Sequence, residues 1–349
     1  MPLKIKHKVK MSLSFTSNDT IKNITKVIPL SINNQTVPKD VLGIIDDYIP
    51  KLNDENIRQV VKDYLSKDEN KKQQVINNHG PISNWDVSQV TNMSELFFKR
   101  RNFNEDISNW NVSNVTNMMG MFWSAKSFNQ PLNNWNVSNV TLMSHMFNHA
   151  KSFNQPLNDW DVSNVRSISA MFERTNKFNQ PLNNWNVSKV TTMNGMFWTA
   201  KSFNQPLNNW DVSNVTNMEM MFKYAKSFNQ ALDSWNVSNV TDMYCMFKHT
   251  TNFNQPLNNW NVSNVTNMSG MFYNTRSFNQ SLDNWNVSNV KNMEHMFRFA
   301  RSFDQPINNW NVSNVCLENL IKNEYMHYES DDEELTDYES DDSSSSDDS

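Results

Sequence analysis

His145 and His149 stand four residues apart, a spacing that could turn two imidazoles onto one helical face. Between them lie Met146, Phe147 and Asn148, so no HExxH base accompanies the pair, and the next repeat offers Ala170 and Arg174 instead. Cys245 and Cys316 form no CxxC pair. They lie about three repeats apart, roughly 14 Å of strand stacking, which exceeds the roughly 7 Å reach of a disulfide. Five scattered glycines cannot build a P-loop, a GxGxxG or a GxSxG turn. These residues predict no enzyme, no metal and no cofactor. In the tail, Ser330, Ser344 and Ser345 each have an acidic residue three positions on, a pattern that an acid-directed kinase could phosphorylate.

The elements that carry these residues are set by a repeat. Trp85, Trp110, Trp135, Trp160, Trp185, Trp210, Trp235, Trp260, Trp285 and Trp310 recur every 25 residues without an insertion. Phe97 to Phe297 and Phe103 to Phe303 keep two further registers. A fixed period of this length predicts a solenoid, in which each coil stacks only on its neighbours. The in-phase Trp, Phe and Met positions are read as its core. Trp260 and Val262 flank an Asn, as a short strand requires, and Met268, Met271, Phe272 and Thr275 have the i, i+3, i+4, i+7 spacing of a helical face. The expectation is therefore an α/β solenoid of about ten coils, each a short parallel strand plus a helix. Strands need about 4.8 Å per coil and helices about 8–10 Å, which predicts a curved stack with a concave strand face and a convex helix face.

The blocks Trp-(Asn/Asp)-Val-Ser-Asn-Val-Thr-x-Met-x-x-Met-Phe and Phe-Asn-Gln-Pro-Leu resemble the BspA-type branch of the leucine-rich repeats. That family includes bacterial surface proteins and is abundant in protists and large DNA viruses. The resemblance covers about residues 80–315 and implies a right-handed leucine-rich-repeat-like solenoid. It implies no particular ligand.

Three registers could meet a partner. The residue after each Trp is always Asn or Asp, with Ser two positions later. This invariant face is read as a hydrated ladder, or as a surface for a periodic polysaccharide through Asn136, Asp161 and Asn186. The Asn after the second Phe, from Asn104 to Asn279, is read as a carboxamide ladder that satisfies backbone groups of the return loop. Variation sits elsewhere. Phe98, Trp123, Trp198, Tyr224, Tyr273 and Phe299 mix aromatic and cationic neighbours on one flank, the composition of interface anchors. Near them recur Lys126, Lys151, Lys201, Lys226, Arg276 and Arg301, read either as complements to helix dipoles or as an attractor for an anionic partner or the chain's own tail.

The ends differ in charge. Residues 1–80 hold 13 basic and 9 acidic side chains, 81–315 hold 17 and 14, and 316–349 hold 1 and 13. Residues 1–36 are poorly specified, with weak strand-like runs around Ile21–Ile32. Residues 37–80 are expected to form a helical cap over the first coil, 81–322 the solenoid, and 323–349 a disordered acidic tail. Pro38, Val41, Leu42, Ile45 and Tyr48 resemble the opening of an F-box, which implies a Skp-type linker as partner and a ubiquitin-ligase adaptor as an alternative function. No apolar run is long enough to span a membrane and no secretory signal opens the chain, so a soluble, intracellular protein is expected. The repeat and its variable convex helix flank point to a non-enzymatic scaffold binding another protein through that flank, without nucleic acid or membrane.

Overall fold

Each coil turns tightly where it was expected to extend. In the computed structural model, which describes residues 31–32, 35–36 and 51–312, the Trp210 N–H bonds the Leu207 carbonyl at 3.1 Å and the Val215 N–H bonds that of Val212 at 2.9 Å. The Trp-Asn-Val stretch is thus a succession of turns. Between the described coils, parallel bridging is confined to one residue per coil, running from Asn92 through Asn117 and Leu142 to Asn292, and the cap adds a bridge between Asn53 and Gln89.

The expected helix gives way as well. Met218, Met220, Phe222 and Tyr224 donate their N–H groups to the carbonyls of Asp242, Tyr244, Met246 and Lys248 in the next coil, at 2.8–3.0 Å. Met221, Lys223 and Ala225 bond three residues back within their own coil, at 2.9–3.2 Å. An α-helix would send every N–H four residues back. The alternation is possible because two positions per coil take positive φ. One register runs from Glu95 (φ 57°) to His295 (57°) and the other from Lys99 (57°) to Phe299 (62°). Met218, Met221, Phe222 and Ala225 are fully buried, so the apolar spacing marks the inward face correctly. A ladder of turns and a helix share that spacing, and only the destination of the N–H groups separates them.

Left-handed backbone costs a non-glycine residue about 1–2 kcal/mol. One intercoil hydrogen bond contributes about 0.5–1.5 kcal/mol net, and an N–H buried without it would cost about 1–3 kcal/mol. The conformation is therefore stable only with a neighbouring coil in place, which makes the stack cooperative. The described turn ladder contains no α-helix, so the expected convex helix face is absent.

Three aromatic columns form the core. Successive indoles stack at 6.4 Å and 2° from Trp160 to Trp185 and from Trp185 to Trp210. The first Phe register stacks at 5.6 Å between Phe197 and Phe222, and within a coil Phe222 lies 4.0 Å from Phe228. From Trp110 to Trp310 each in-phase indole N–H donates to a carbonyl of the preceding coil, as Trp210 does to Leu182 at 2.9 Å, and that of Trp85 donates to the Gly80 carbonyl of the cap. The Asn ladder occupies the return loop: the Asn204 carboxamide oxygen accepts the Asn229 N–H at 2.9 Å, and Asn229 serves Asn254 likewise.

Before the first coil come two paired strands, β1 (Ser31–Ile32) and β2 (Gln35–Thr36), then helices α1 (Ile57–Tyr64) and α2 (Glu69–His79). Ile57, Val61 and Tyr64 of α1 are buried against the first coil, and the Tyr64 ring meets Trp85 edge-on at 5.2 Å. The cap also imitates a coil's polar edge. In the stack, the Thr91 carbonyl accepts the Thr116 N–H at 2.8 Å. For Thr91 and Asn92 themselves, the Asp54 carboxylate is the acceptor, at 2.8 and 3.0 Å. The Arg58 guanidinium donates to the Ser94 carbonyl, which faces the cap as the Met119 carbonyl faces Glu95. Asp54 thus serves the solenoid from the cap. Residues 37–50, with most of the F-box-like segment, and residues 313–349 lie outside the described residues.

Two expected results follow. Burial pushes the Asp54 carboxyl up, but hydrogen bonds from Thr91 and Asn92 and the Arg58 charge outweigh it and hold the group below 3.8. Its contribution is present above that value and is lost as pH falls through the lower folded one. Thermal melts of Asp54→Asn should accordingly lose less stability than wild type between about pH 5 and 2; parallel acid profiles would show that Asp54 does not act this way. Separately, a Cβ at Gly270 (φ 61°) would sit 3.0 Å from the Cys245 sulfur, whereas one at Gly195 (φ 61°) meets nothing nearer than 3.9 Å. Gly195→Ala should cost about 1 kcal/mol from backbone alone. Gly270→Ala should cost more, and adding Cys245→Ala should recover the difference; equal costs in denaturant unfolding would contradict the packing.

Candidate interaction surface

The intercoil hydrogen bonds set the outward side chains of the turn ladder in columns. The two left-handed registers and the residues beside them vary from coil to coil, whereas the Asn/Asp and Ser positions after each Trp do not. Those invariant side chains are engaged locally: the Asn136 carboxamide accepts the Ser138 N–H at 3.2 Å, and the Asp161 carboxylate accepts that of Ser163 at 3.0 Å. Such turns account for the residue types without a ligand.

The variable face has its own order. Phe98 meets Trp123 edge-on at 5.2 Å, and Trp123 stacks on His145 at 5.0 Å. Further along, the Lys223 ammonium lies 4.7 Å from the Trp198 ring centre, and Tyr224 stacks on His249 at 4.3 Å. His249 meets Tyr273, which meets Phe299 edge-on, both at 5.4 Å. All six aromatic residues singled out from the sequence are half-buried here. Met119 and Leu142, the large apolar side chains that are most open at 39% each, lie in adjacent coils of the same face. The cation row follows one register further: Lys201, Lys226 and Arg301 are exposed, and Lys126, Lys151 and Arg276 are half-buried. Dipole complementation cannot explain the row, because the coils contain no helices.

Sequence reasoning missed three glycines. Gly120, Gly195 and Gly270 share the first left-handed register, three coils apart, and each precedes by three residues a large ring: Trp123, Trp198 and Tyr273. The rings of Trp123 and Trp198 lie over the bare Cα, with ring carbons 3.6 and 3.9 Å from where a Cβ would stand. The common register of three of five glycines was the available signal.

Desolvation shapes the polar groups among these rings. Burial pushes the Glu173 carboxyl up, against the hydrogen bond it accepts from Asn148 at 2.8 Å. It likewise pushes the Lys223 ammonium and the His145 imidazole down and the Cys245 thiol up. The buried Trp198 indole N–H and Thr199 hydroxyl have no hydrogen-bond partner among the described residues. No cluster of three metal-ligating side chains occurs among the described residues. His145 and His149 both adjoin Asn148, whose carboxamide contacts a ring nitrogen of each.

The model of a Mycoplasma protein family of unknown function, DUF285, matches residues 67–183, 156–256 and 230–331. These overlapping matches span well over half of the chain. The chain belongs to the DUF285 family. Tandem matches across the 25-residue period agree with a BspA-type repeat protein and with a solenoid built from it. No curated protein matches the chain. Among the described residues, no helix is long and apolar enough to cross a membrane.

Proposed function

We propose that this DUF285 protein is a non-enzymatic scaffold that binds another protein through the variable face of its turn ladder. One observation carries the reading. Coil-to-coil variation is concentrated on a face where half-buried rings and cations pack into a continuous surface, while the opposite registers repeat with little change. Aromatic rings beside cations supply large contact area at low entropic cost, which is what interface centres use.

The test is affinity capture from the native cell with three forms of the full chain. Proteins recovered with wild type should be recovered equally with an Asn136→Ala, Asp161→Ala, Asn186→Ala variant. They should be lost with Trp123→Ala, Trp198→Ala, Tyr224→Ala and Tyr273→Ala combined, provided circular dichroism shows the combined variant folded. Retention by the aromatic variant, or loss by the Asn/Asp variant, would move the binding surface elsewhere.

A further inference from the structure

Charge in the solenoid is sorted by register. Of the 17 basic residues between positions 81 and 312, 14 fall in the segment that begins at Phe98, ends at Asn102 and recurs every 25 residues; of the 14 acidic residues, Glu173 alone does. Nine coils stack these segments in register, because the intercoil hydrogen bonds donated from Lys99 to Asn274 run through them. The result is a strip of net formal charge +13 on an otherwise acidic body. At about 4.8 Å per coil it extends roughly 38 Å. Like charges at that spacing repel, and aligned cations draw anionic segments to themselves.

Residues 323–349 carry 12 acidic side chains and no Lys or Arg. The chain leaves the described stack at Val312, at the end of the strip where Arg298 and Arg301 stand. The 17 residues from there to Glu329 can span up to roughly 56–61 Å, and the 20 from Glu329 to Ser349 a further ~66–72 Å. Both lengths exceed what is needed to run back along all nine coils.

We propose that residues 323–349 lie along this strip as an intramolecular polyanion. The occupant is chosen by charge balance, +13 against −12, and by reach. An acidic partner approaching the strip must displace the tail, and phosphate on Ser330, Ser344 or Ser345 would hold the tail more firmly by adding about 1.5–2 negative charges each. This assignment stands whether or not the turn-ladder face binds a protein.

Zero-length carbodiimide coupling of the full chain tests it, using an equal mixture of unlabelled and 15N-labelled protein at low salt. Tail carboxylates should couple to Lys126, Lys151, Lys201 and Lys226 within one chain, at least about fivefold more than to the exposed off-strip Lys189 and Lys291. The preference should vanish at about 0.5 M salt, where screening is complete within a few ångströms. Even coupling to strip and off-strip lysines, or mixed-label pairs at the statistical half of all cross-links, would overturn the assignment. Small-angle scattering gives an independent reading. Wild type should expand as salt is raised, whereas Lys126→Gln, Lys151→Gln, Lys201→Gln, Lys226→Gln in the full chain should be expanded already; identical salt responses would overturn the assignment too.

Discussion

Replacing Trp210 by Ala should cost at least about 4 kcal/mol in chemical unfolding, the largest effect of any single truncation in the middle of the stack. Three losses combine. The indole is only 3% exposed and stacks on Trp185 and Trp235 at 6.4 and 6.3 Å, so a cavity opens in the column. Phe197 loses the ring it meets at 6.5 Å. The Leu182 carbonyl loses one of its two donors, keeping the Trp185 N–H at 3.1 Å, a loss of about 0.5–1.5 kcal/mol. Trp210→Phe separates these contributions, since it keeps an aromatic ring and removes the donor; it should cost about half as much. Because each coil contacts only its neighbours, the same change at Trp310, where the stack of described coils ends, should cost less. Equal losses at the two sites would argue against a one-dimensional stack.

Met220 gives the second large effect, and it discriminates between backbones. Its φ is +53° and its N–H donates to the Tyr244 carbonyl at 2.8 Å. Proline holds φ near −65° and has no N–H, so Met220→Pro should cost more than about 3 kcal/mol. Proline also breaks helices, so that result alone does not separate the ladder from a helix. Met220→Gly does. In a helix interior, glycine would cost about 0.5–1 kcal/mol. At a left-handed position it relieves about 1 kcal/mol of strain, so the ladder predicts a variant as stable as wild type or more so.

How much of this was legible in the sequence depends on what each signal measures. The Trp and Phe registers gave the period and the core, because burial is a property of the side chain and repeats with it. The Asn104 series gave the carboxamide ladder, because return-loop N–H groups need acceptors where coils lie close together. The strand and helix were misread at Trp260 to Val262 and Met268 to Thr275. Apolar spacing reports which side faces inward, and turns, strands and helices can share it. Left-handed backbone at Glu95, Lys99, Tyr224 or Phe299 leaves no mark in residue type, since those residues seldom adopt it. The one mark was Gly120, Gly195 and Gly270 on a single register. The candidate surface was half legible. Phe98, Trp123, Trp198, Tyr224, Tyr273 and Phe299 stood out by varying where everything else repeats, but their mutual stacking needed the turn ladder, and the exposure of Met119 and Leu142 carried no sequence signal.

The turn ladder depends on N–H groups that reach across to the next coil. The most direct test is the NMR scalar coupling transmitted through the hydrogen bond of the Met220 amide, measured on deuterated full-length protein. A coupling between the Met220 nitrogen and the Tyr244 carbonyl carbon is the predicted result. A coupling to the carbonyl of Thr216, four residues back, would mean that the segment is helical and that the ladder does not exist.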